Sequence, residues 1–306
     1  RSSYPQYIRE LQGIADGAVI PFYKLFLLHL DDILPNVLEG YNTNDGQGCS
    51  SVVLNRHNQI IIGHNEDAFK EILNNVFIMQ ACITEVEPPE MFTAFCYAGL
   101  LPGYAMGYNP YFAFSINIIG AKYLASGKIP RCFATRAMLA ADSLERIEYI
   151  LRYFNGGVAD AMSINLALFQ KNSNPLMYNI EVSPVYPPSN EASYSIICIE
   201  MGEHLFHCNR FLHLKMVEED GKLIKSSENR HKTKEGLPKP ACKEDVINIL
   251  GDNSQKCLNI FRNESDEPIM TIASAIFNFI DKTWSVYVDN PKRSDAIAVL
   301  PLYDGR

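Results

Sequence analysis

Residues 45–67 read DGQGCSSVVLNRHNQIIIGHNED, and this stretch predicts a β-hairpin that starts at a cysteine. A polar, glycine-rich loop ends with Gly48, and an apolar, β-branched strand begins directly after Cys49. A polar turn and a second apolar strand, residues 59–63, complete the hairpin. The Gly-Cys pair therefore stands at the junction between a loop and a strand.

The hairpin register brings a carboxylate to Cys49. If the turn centres on His57 or Asn58, the numbers of paired residues sum to about 115 or 116. Residue 49 then faces Glu66 or Asp67. The sequence thus places an acidic side chain beside the cysteine without any long-range assumption.

A cysteine that becomes the first residue of a mature chain carries its own base. The α-amino group has a reference pKa of about 7.7, so a useful fraction is neutral at physiological pH. That neutral amine accepts the thiol proton, and a carboxylate such as Asp67 can orient it. The alternative interpretation of Cys49 is a buried structural cysteine at the start of a strand.

The composition argues against several classes of function. The 306 residues are 47% hydrophobic and 20% charged, which is typical of a globular protein with an ample core. A net charge of −8 and the lack of a long basic run argue against nucleic-acid binding. No stretch approaches the roughly 18 consecutive apolar residues of a membrane span.

The eight cysteines indicate a reducing compartment. No two form a C-x-x-C pair, and Cys82 and Cys198 stand inside apolar, strand-like runs. We therefore expect a cytoplasmic protein. Because the chain begins with Arg1 and not with methionine, we also expect further residues upstream.

The order of the predicted elements indicates an α+β fold. Helical spacing covers residues 5–38, where Gly17 breaks the run and Phe22 to Leu34 resumes it, and also residues 130–155 and about 243–250. Strand patterns cover residues 50–65, about 75–119, 160–207 and 271–288. The segments 39–48 and Lys222–Lys239 are polar and predict loops. Two blocks of strands with helices between them predict two packed sheets with helices outside.

Two later motifs supply polar side chains for the same chemistry. Residues 206–211, FHCNRF, end a strand with Asn209, whose amide can donate to a developing oxyanion. Residues 225–230, KSSENR, place Arg230 in the predicted polar loop, where it can hold a carboxylate or a thiolate. The alternatives are a strand-end cap for Asn209 and a solvated surface charge for Arg230.

We expect neither a metal ion nor a cofactor. His204, His207 and Cys208 lie close together in the sequence. On a strand, however, the two histidines point to opposite faces, and no recognisable spacing completes a tetrahedral ligand set.

Four short motifs follow one another in a specific order. They are Gly48–Ser51, Gly63–Asp67, Cys208–Phe211 and Ser226–Arg230. Together they resemble the acyl-coenzyme A:6-aminopenicillanic acid acyltransferase family of N-terminal-nucleophile hydrolases. Glu66–Ala68, Cys96–Tyr104 and Val288–Pro291 are similar to the insect branch that hydrolyses β-alanyl amides. The resemblance covers most of the chain, from Leu11 to Leu302.

The resemblance implies a four-layer αββα sandwich, made as a precursor that cuts its own Gly48–Cys49 bond. Residues 1–48 would form an N-terminal helical segment and residues 49–306 the catalytic part, which stay together as two subunits. A homo-oligomer of this unit is a further option.

The resemblance also implies roles for individual residues. Cys49 would be the nucleophile and its new amine the base, while Asp67 holds the amine, Asn209 donates to the oxyanion and Arg230 steadies the site. Glu66 and Asn117 are candidates for substrate binding, Glu66 through the ammonium group of a β-alanyl substrate.

The implied activity is hydrolysis of an N-acyl amine through a thioester on Cys49. A β-alanyl conjugate of dopamine or histamine is the expected substrate. Glu66 stands where penicillin-type relatives carry an aromatic residue, so their substrates are not expected here. Two alternatives stay open, namely an acyltransferase that passes the acyl group to an amine and a non-catalytic relative that is never cut. Neither nucleic acid nor a membrane is an expected partner.

Overall fold

The parts of the chain that the computed structural model describes are residues 3–30, 33–34, 48–186, 189–255, 257–264 and 267–302. Within them the chain forms two antiparallel β-sheets and six α-helices.

Thirteen strands account for the two sheets. In chain order they are β1 (Gly48–Arg56), β2 (Gln59–Phe69), β3 (Val76–Ile83), β4 (Glu90–Tyr97), β5 (Met106–Tyr108), β6 (Phe112–Ile118), β7 (Met162–Gln170), β8 (Ser173–Ser183), β9 (Ser193–Cys198), β10 (His204–His207), β11 (Ile269–Asn278), β12 (Thr283–Tyr287) and β13 (Ala298–Pro301). Sheet A has the order β10-β1-β2-β11-β12-β13, and sheet B has the order β3-β4-β5-β6-β7-β8-β9. The predicted hairpin, β1–β2, therefore lies inside sheet A with a neighbouring strand on each side.

Six helices lie before, between and after the strands. They are α1 (Pro5–Ala18), α2 (Phe22–Leu28), α3 (Arg131–Met138), α4 (Leu144–Glu148), α5 (Lys222–Glu235) and α6 (Lys243–Leu250). A π-helical turn, Tyr149–Tyr153, continues α4.

Alternation along the hairpin decides which side chains face the second sheet. Val53 and Ile62 belong to the main core, which contains residues of both sheets. Val52 and Ile61 point the other way and pack with Leu250 of α6. Successive side chains of a strand lie on opposite faces, so odd-numbered residues of β1 lie between the sheets and even-numbered residues face the helices.

The arrangement of layers confirms the predicted αββα sandwich. Helix α6 packs on the outer face of sheet A, where α5 also lies against β10. Phe133, Met138 and Ile147 of α3 and α4 join the core of sheet B. Burial of both apolar faces of each sheet is the main stabilising contribution to such a layered fold.

The predicted loop over Lys222–Lys239 is wrong, because most of this segment is the helix α5. Its buried positions recur with helical spacing, but several of them are polar, including Ser227 and Arg230. A helix whose buried face is polar gives no hydrophobic period, so the sequence pattern resembled a loop. The other predicted loop, 39–48, lies outside the described residues except for Gly48, which already belongs to β1.

The N-terminal segment is two helices, in agreement with the predicted break at Gly17 and the second helical run from Phe22. Val19 ends α1 in the left-handed conformation, with φ of 55°, and Pro21 precedes α2. Residues 35–38 lie outside the described residues. No single described helix is long and apolar enough to cross a bilayer; α1 and α2 reach that length and hydropathy only as a pair, across a 120° bend.

A buried ion pair fastens α1 to the rest of the molecule. The guanidinium of Arg136 on α3 donates to both carboxylate oxygens of Glu10, at 2.9 and 2.5 Å. The same group lies over the ring of Tyr7, 4.5 Å from its centre, and contacts Glu90 at 2.9 Å. This anchor is independent of the covalent connection between α1 and β1.

A second buried carboxylate connects the two sheets. Glu181 on β8 accepts hydrogen bonds from three consecutive backbone N–H groups, those of Leu212, His213 and Leu214, and contacts Nε2 of His207 at 2.9 Å. Burial alone would raise the pKa of this carboxyl, but the hydrogen bond and charge of His207 and the backbone donors lower it. Glu181 therefore fixes the chain on both sides of Asn209.

We predict that Glu181→Gln lowers the free energy of unfolding by about 3 kcal/mol, because charge-assisted bonds to a buried acceptor are lost. Since the folded-state pKa of Glu181 is depressed, its contribution is fully present above the ordinary glutamate pKa and is lost as the pH falls through the folded value. Urea unfolding measured from neutral to acidic pH should show the difference between wild type and variant shrinking on acidification. Exposed Glu71→Gln is the matched control, and a pH-independent difference would contradict the assignment.

Candidate functional site

The hairpin register pairs Cys49 with Glu66. Gly48 lies opposite Asp67, Cys49 opposite Glu66 and Arg56 opposite Gln59. Paired numbers therefore sum to 115, which is one of the two predicted registers. The carboxylate that faces the cysteine is that of Glu66.

The Cys49 thiol lies between the two sheets and contacts Glu66. Its Sγ is 3.6 Å from Glu66 Oε2, and Cys49 is only 4% exposed. Burial, followed by the nearby charges of Glu66 and Asp67, raises the pKa of the thiol well above its ordinary value. The nucleophile candidate is thus held as a neutral thiol that donates to a carboxylate.

The backbone of Cys49 is held by two side chains from distant parts of the chain. Its N–H donates to Oδ1 of Asn209 at 3.2 Å, and its carbonyl accepts from Nη1 of Arg230 at 2.5 Å. Both backbone groups point away from β2, so Cys49 and Glu66 form a non-hydrogen-bonded pair. In such pairs the side chains approach closely, which explains the contact between thiol and carboxylate.

Asn209 follows β10 and is held by hydrogen bonds from its backbone and from its side chain. Its N–H donates to Oγ of Ser227 on α5 at 3.0 Å, and its Nδ2 donates to the carbonyl of Ile118 at 2.8 Å. The predicted role was donation to an oxyanion, but the atom nearest the Cys49 backbone is the acceptor Oδ1. An amide nitrogen carries two hydrogens, and the second one meets no acceptor among the described residues.

Arg230 is the buried cation of the site. It lies on α5, three residues after Ser227, so both side chains reach the same face of the helix. Besides the Cys49 carbonyl, its guanidinium contacts Oγ of Ser50 at 2.9 Å and Oδ1 of Asn209 at 2.6 Å. The solvated surface charge considered from the sequence is excluded, because Arg230 is fully buried.

Asp67 lies on the helix side of the hairpin, opposite Gly48. Its Oδ1 accepts from the hydroxyl of Thr271 at 2.7 Å, and its Oδ2 is 3.9 Å from Nη1 of Arg230. Burial raises the pKa of this carboxyl, and the charges of Arg262 and Arg230 oppose that shift. Oδ2 has no hydrogen-bond partner among the described residues, so a buried acceptor is available beside the Gly48–Cys49 bond.

A chain of polar side chains continues from Glu66 into the space between the sheets. Nε2 of His64 is 2.9 Å from Glu66 Oε2, and Nδ1 of His64 is 2.9 Å from Oγ of Ser51. Ser51 donates to Oδ1 of Asn117 at 2.8 Å, and the hydroxyl of Tyr97 donates to Glu66 Oε1. Asn117 therefore belongs to the hydrogen-bond network around Ser51, and none of its hydrogen bonds to the described residues involves Cys49.

His64 is the residue that sequence reasoning missed. Its signal was present, because it lies two positions before Glu66 on one strand and residues at that spacing share a face. Thr271 was missed as well, since nothing local connects β11 to Asp67. The structure brings Cys49, Glu66, Asp67, Asn209 and Arg230 together around one peptide bond.

The metal ligands considered from the sequence do not form a group with one another. His207 is bonded to Glu181 instead. Among the described residues, Cys49, His64 and Glu66 have ligand atoms within 4.8 Å of one another. Because Nε2 of His64 and Oε2 of Glu66 already bond to each other, we assign no metal to this group.

Comparisons with known proteins agree with the motifs. The sequence model of the family described as acyl-coenzyme A:6-aminopenicillanic acid acyl-transferase matches residues 54–293. This range contains Glu66, Asp67, Asn209 and Arg230 and begins shortly after Cys49. The chain is also 40% identical, over 314 aligned residues, to a β-alanyl-dopamine/carcinine hydrolase of Drosophila melanogaster, covering 99% of this chain and 81% of that protein.

One solved structure is a weak match. It is a mutant conjugated bile acid hydrolase from Clostridium perfringens, with 10% identity and a TM-score of 0.42, covering 84% of this chain and 97% of that chain. At that score the likeness adds nothing to the fold described above.

Gly48 yields a test of the packing around the site. An added Cβ would lie 3.3 Å from Asn209 Oδ1 and 3.5 Å from both Arg230 Nη2 and Asp67 Oδ2. We predict that Gly48→Ala costs about 1 kcal/mol of stability and Gly48→Val about 3 kcal/mol or more, because the strand has no room for further carbons. Chemical unfolding measures both values. Gly13→Ala on α1, where a Cβ meets nothing within 4 Å, is the control. A Gly48→Val protein as stable as wild type would show that the polar atoms of Asn209, Arg230 and Asp67 are not packed around Gly48 as described.

Proposed function

Since this chain belongs to the acyl-coenzyme A:6-aminopenicillanic acid acyl-transferase family, we propose that it is a self-cleaving cysteine amidohydrolase of N-acylated amines. The observation that carries this proposal is the setting of Cys49. Its thiol, its N–H and its carbonyl each contact a different buried polar side chain, those of Glu66, Asn209 and Arg230.

The first proposed reaction is cleavage of the Gly48–Cys49 bond. The Cys49 thiol attacks the carbonyl carbon of Gly48, the amide bond breaks, and the resulting thioester is hydrolysed. Residues 1–48 and 49–306 then become two chains. The absence of a side chain at Gly48 supports this step, because a Cβ there would press against Asn209, Arg230 and Asp67 beside the bond that is cut.

The second proposed reaction is turnover of substrate by the cut enzyme. The amine of Cys49 accepts the thiol proton, and the thiolate attacks the acyl carbon of the amide. Asn209 Oδ1 and Asp67 Oδ2, which has no partner among the described residues, hold the amine, and the second hydrogen on Asn209 Nδ2 donates to the oxyanion. Arg230 steadies both residues. The acyl C–N bond breaks as the Cys49 ammonium returns its proton to the departing amine, and water then hydrolyses the thioester to release the acyl group and the free thiol.

We further propose that the acyl group is β-alanyl and that the amine is a biogenic amine such as dopamine or histamine. The similarity to the Drosophila hydrolase supports this choice. So does the position of Glu66, because the ammonium of a β-alanyl group lies only three bonds, roughly 4 Å, from its carbonyl carbon. An ammonium at that distance from the atom bonded to Sγ reaches the Glu66 carboxylate.

The N-terminal segment is proposed to remain as a second subunit after cleavage. The ion pair of Arg136 with Glu10 and the stacking of Tyr4 on Phe133 of α3 hold α1 in place without the peptide bond. These contacts bury charged and aromatic groups. Dissociation of α1 would separate the ion pair and expose the aromatic rings to water, and both changes cost free energy.

Replacement of Cys49 tests the proposal as a whole. Intact mass should show two chains for wild type, which elute together on gel filtration, and one uncut chain for Cys49→Ala. Hydrolysis of N-β-alanyl-dopamine should be abolished in the variant, and exposed Cys82→Ala should behave as wild type. An uncut wild type that still folds would support a non-catalytic relative, and a cut wild type inactive on this amide would overturn the substrate assignment. Transfer of the acyl group to an added amine in place of water would identify an acyltransferase.

Replacement of Glu66 tests the acyl group. For Glu66→Gln, measured per cut chain, KM for N-β-alanyl-dopamine should rise about tenfold or more, because a charged hydrogen bond contributes about 1.5–3 kcal/mol. KM for N-acetyl-dopamine, which has no ammonium, should change far less. Equal effects on both amides would contradict an ionic contact between Glu66 and the substrate.

A further inference from the structure

The uncut chain lacks the base that the cut enzyme uses. Before cleavage the nitrogen of Cys49 is an amide, which donates to Asn209 Oδ1 and cannot take up a proton from the thiol. The α-amine exists only after the Gly48–Cys49 bond has broken. Because burial raises the pKa of the Cys49 thiol, the first reaction requires another group that removes its proton.

The thiol already donates to such a group. Glu66 Oε2 is 3.6 Å from Sγ and 2.9 Å from Nε2 of His64. Tyr97 donates to the other oxygen, Oε1, and so fixes the carboxylate plane. Among the described residues, Asp67 is the other carboxylate near the thiol, but it lies on the opposite face of the hairpin with Thr271 and Arg230.

The network behind His64 fixes where its protons lie. Oδ1 of Asn117 accepts from Asn165 Nδ2 at 2.9 Å as well as from the Ser51 hydroxyl. Ser51 has one proton and donates it to Asn117, so His64 Nδ1 must donate to Ser51. A proton therefore lies between His64 Nε2 and Glu66 Oε2, bonded to one of these two atoms.

We propose that the Glu66–His64 pair is the base of the self-cleavage reaction, an inference that rests on the proposed self-cleavage. Glu66 Oε2 takes the thiol proton, and the pair then carries one positive charge beside the thiolate, so the buried site stays neutral. The thiolate forms a bond to the Gly48 carbonyl carbon, and the C–N bond breaks. The proton moves from the pair to the departing nitrogen, and water then hydrolyses the thioester to the Gly48 carboxylate and the free thiol.

This assignment predicts that the two reactions depend differently on the pair. Once the α-amine exists, it takes over as the base, and the Cys49 thiol then has a proton acceptor other than Glu66–His64. Loss of a general base typically costs about 10²–10⁴ in rate. Self-cleavage should therefore suffer much more than turnover of substrate by chains that have been cut.

The experiment compares Glu66→Gln and His64→Asn with wild type. Full-length protein is made by pulse labelling in cell-free synthesis, and the rate of appearance of the 49–306 chain is followed by intact mass. His64→Asn keeps a donor towards Ser51 and removes Nε2, whereas Glu66→Gln keeps the shape of the side chain and the contact with Tyr97. We expect cleavage to slow about 100-fold or more in both, while kcat per cut chain for N-acetyl-dopamine, which has no ammonium to contact Glu66, falls less than tenfold.

The controls separate this proposal from its premise. His57→Asn, in the exposed turn of the same hairpin, should cut at the wild-type rate. If His64→Asn does not fold, as judged by thermal unfolding, Glu66→Gln decides alone. Wild-type cleavage rates in the variants, or equal losses of cleavage and kcat, would overturn the role of the pair. A wild type that is never cut would instead overturn the proposed self-cleavage.

Discussion

The antiparallel pairing of β1 with β2 is the constraint on which the site depends. This register sets Cys49 opposite Glu66 and Gly48 opposite Asp67. Alternation then sends the thiol into the space between the sheets and Asp67 towards helix α5. A shift of one residue would exchange the two faces and would separate the thiol from Glu66. Both strands have neighbours on each side in sheet A, so the register is held by more than the hairpin turn.

The two faces of the hairpin carry two different polar environments around one peptide bond. Between the sheets, Glu66 and His64 lie beside the thiol and can exchange protons with it. On the helix side, Arg230 connects the Cys49 carbonyl, Ser50 and Asn209, and one oxygen of Asp67 meets no partner in the part of the chain that the structure describes. We propose that the first environment serves the cleavage of the precursor and the second serves the cut enzyme. Glu181 supports both, because it fixes the chain that carries Asn209.

The sequence predicted the local part of the site better than the distant part. The β1–β2 register follows from a short turn and a period of two, so the pairing of Cys49 with a carboxylate could be predicted from residues 49–67 alone. Asn209 and Arg230 reach Cys49 from 160 and 181 residues away, and only the family resemblance connected them. The helix that carries Arg230 escaped prediction because its buried face is polar. His64 was overlooked although alternation places it on the face of Glu66, since its importance depends on Ser51 and Asn117 across the two sheets.

The central claim is that Cys49 becomes the first residue of a chain. A terminal cysteine carries adjacent amine and thiol groups, and 2-cyanobenzothiazole condenses with that pair but forms no stable ring with an internal cysteine. Mass spectrometry of purified wild type treated with this reagent should show one label, on a chain that starts at Cys49, and none on Cys49→Ala. A single unlabelled chain of 306 residues that nevertheless hydrolyses the amide would contradict the account.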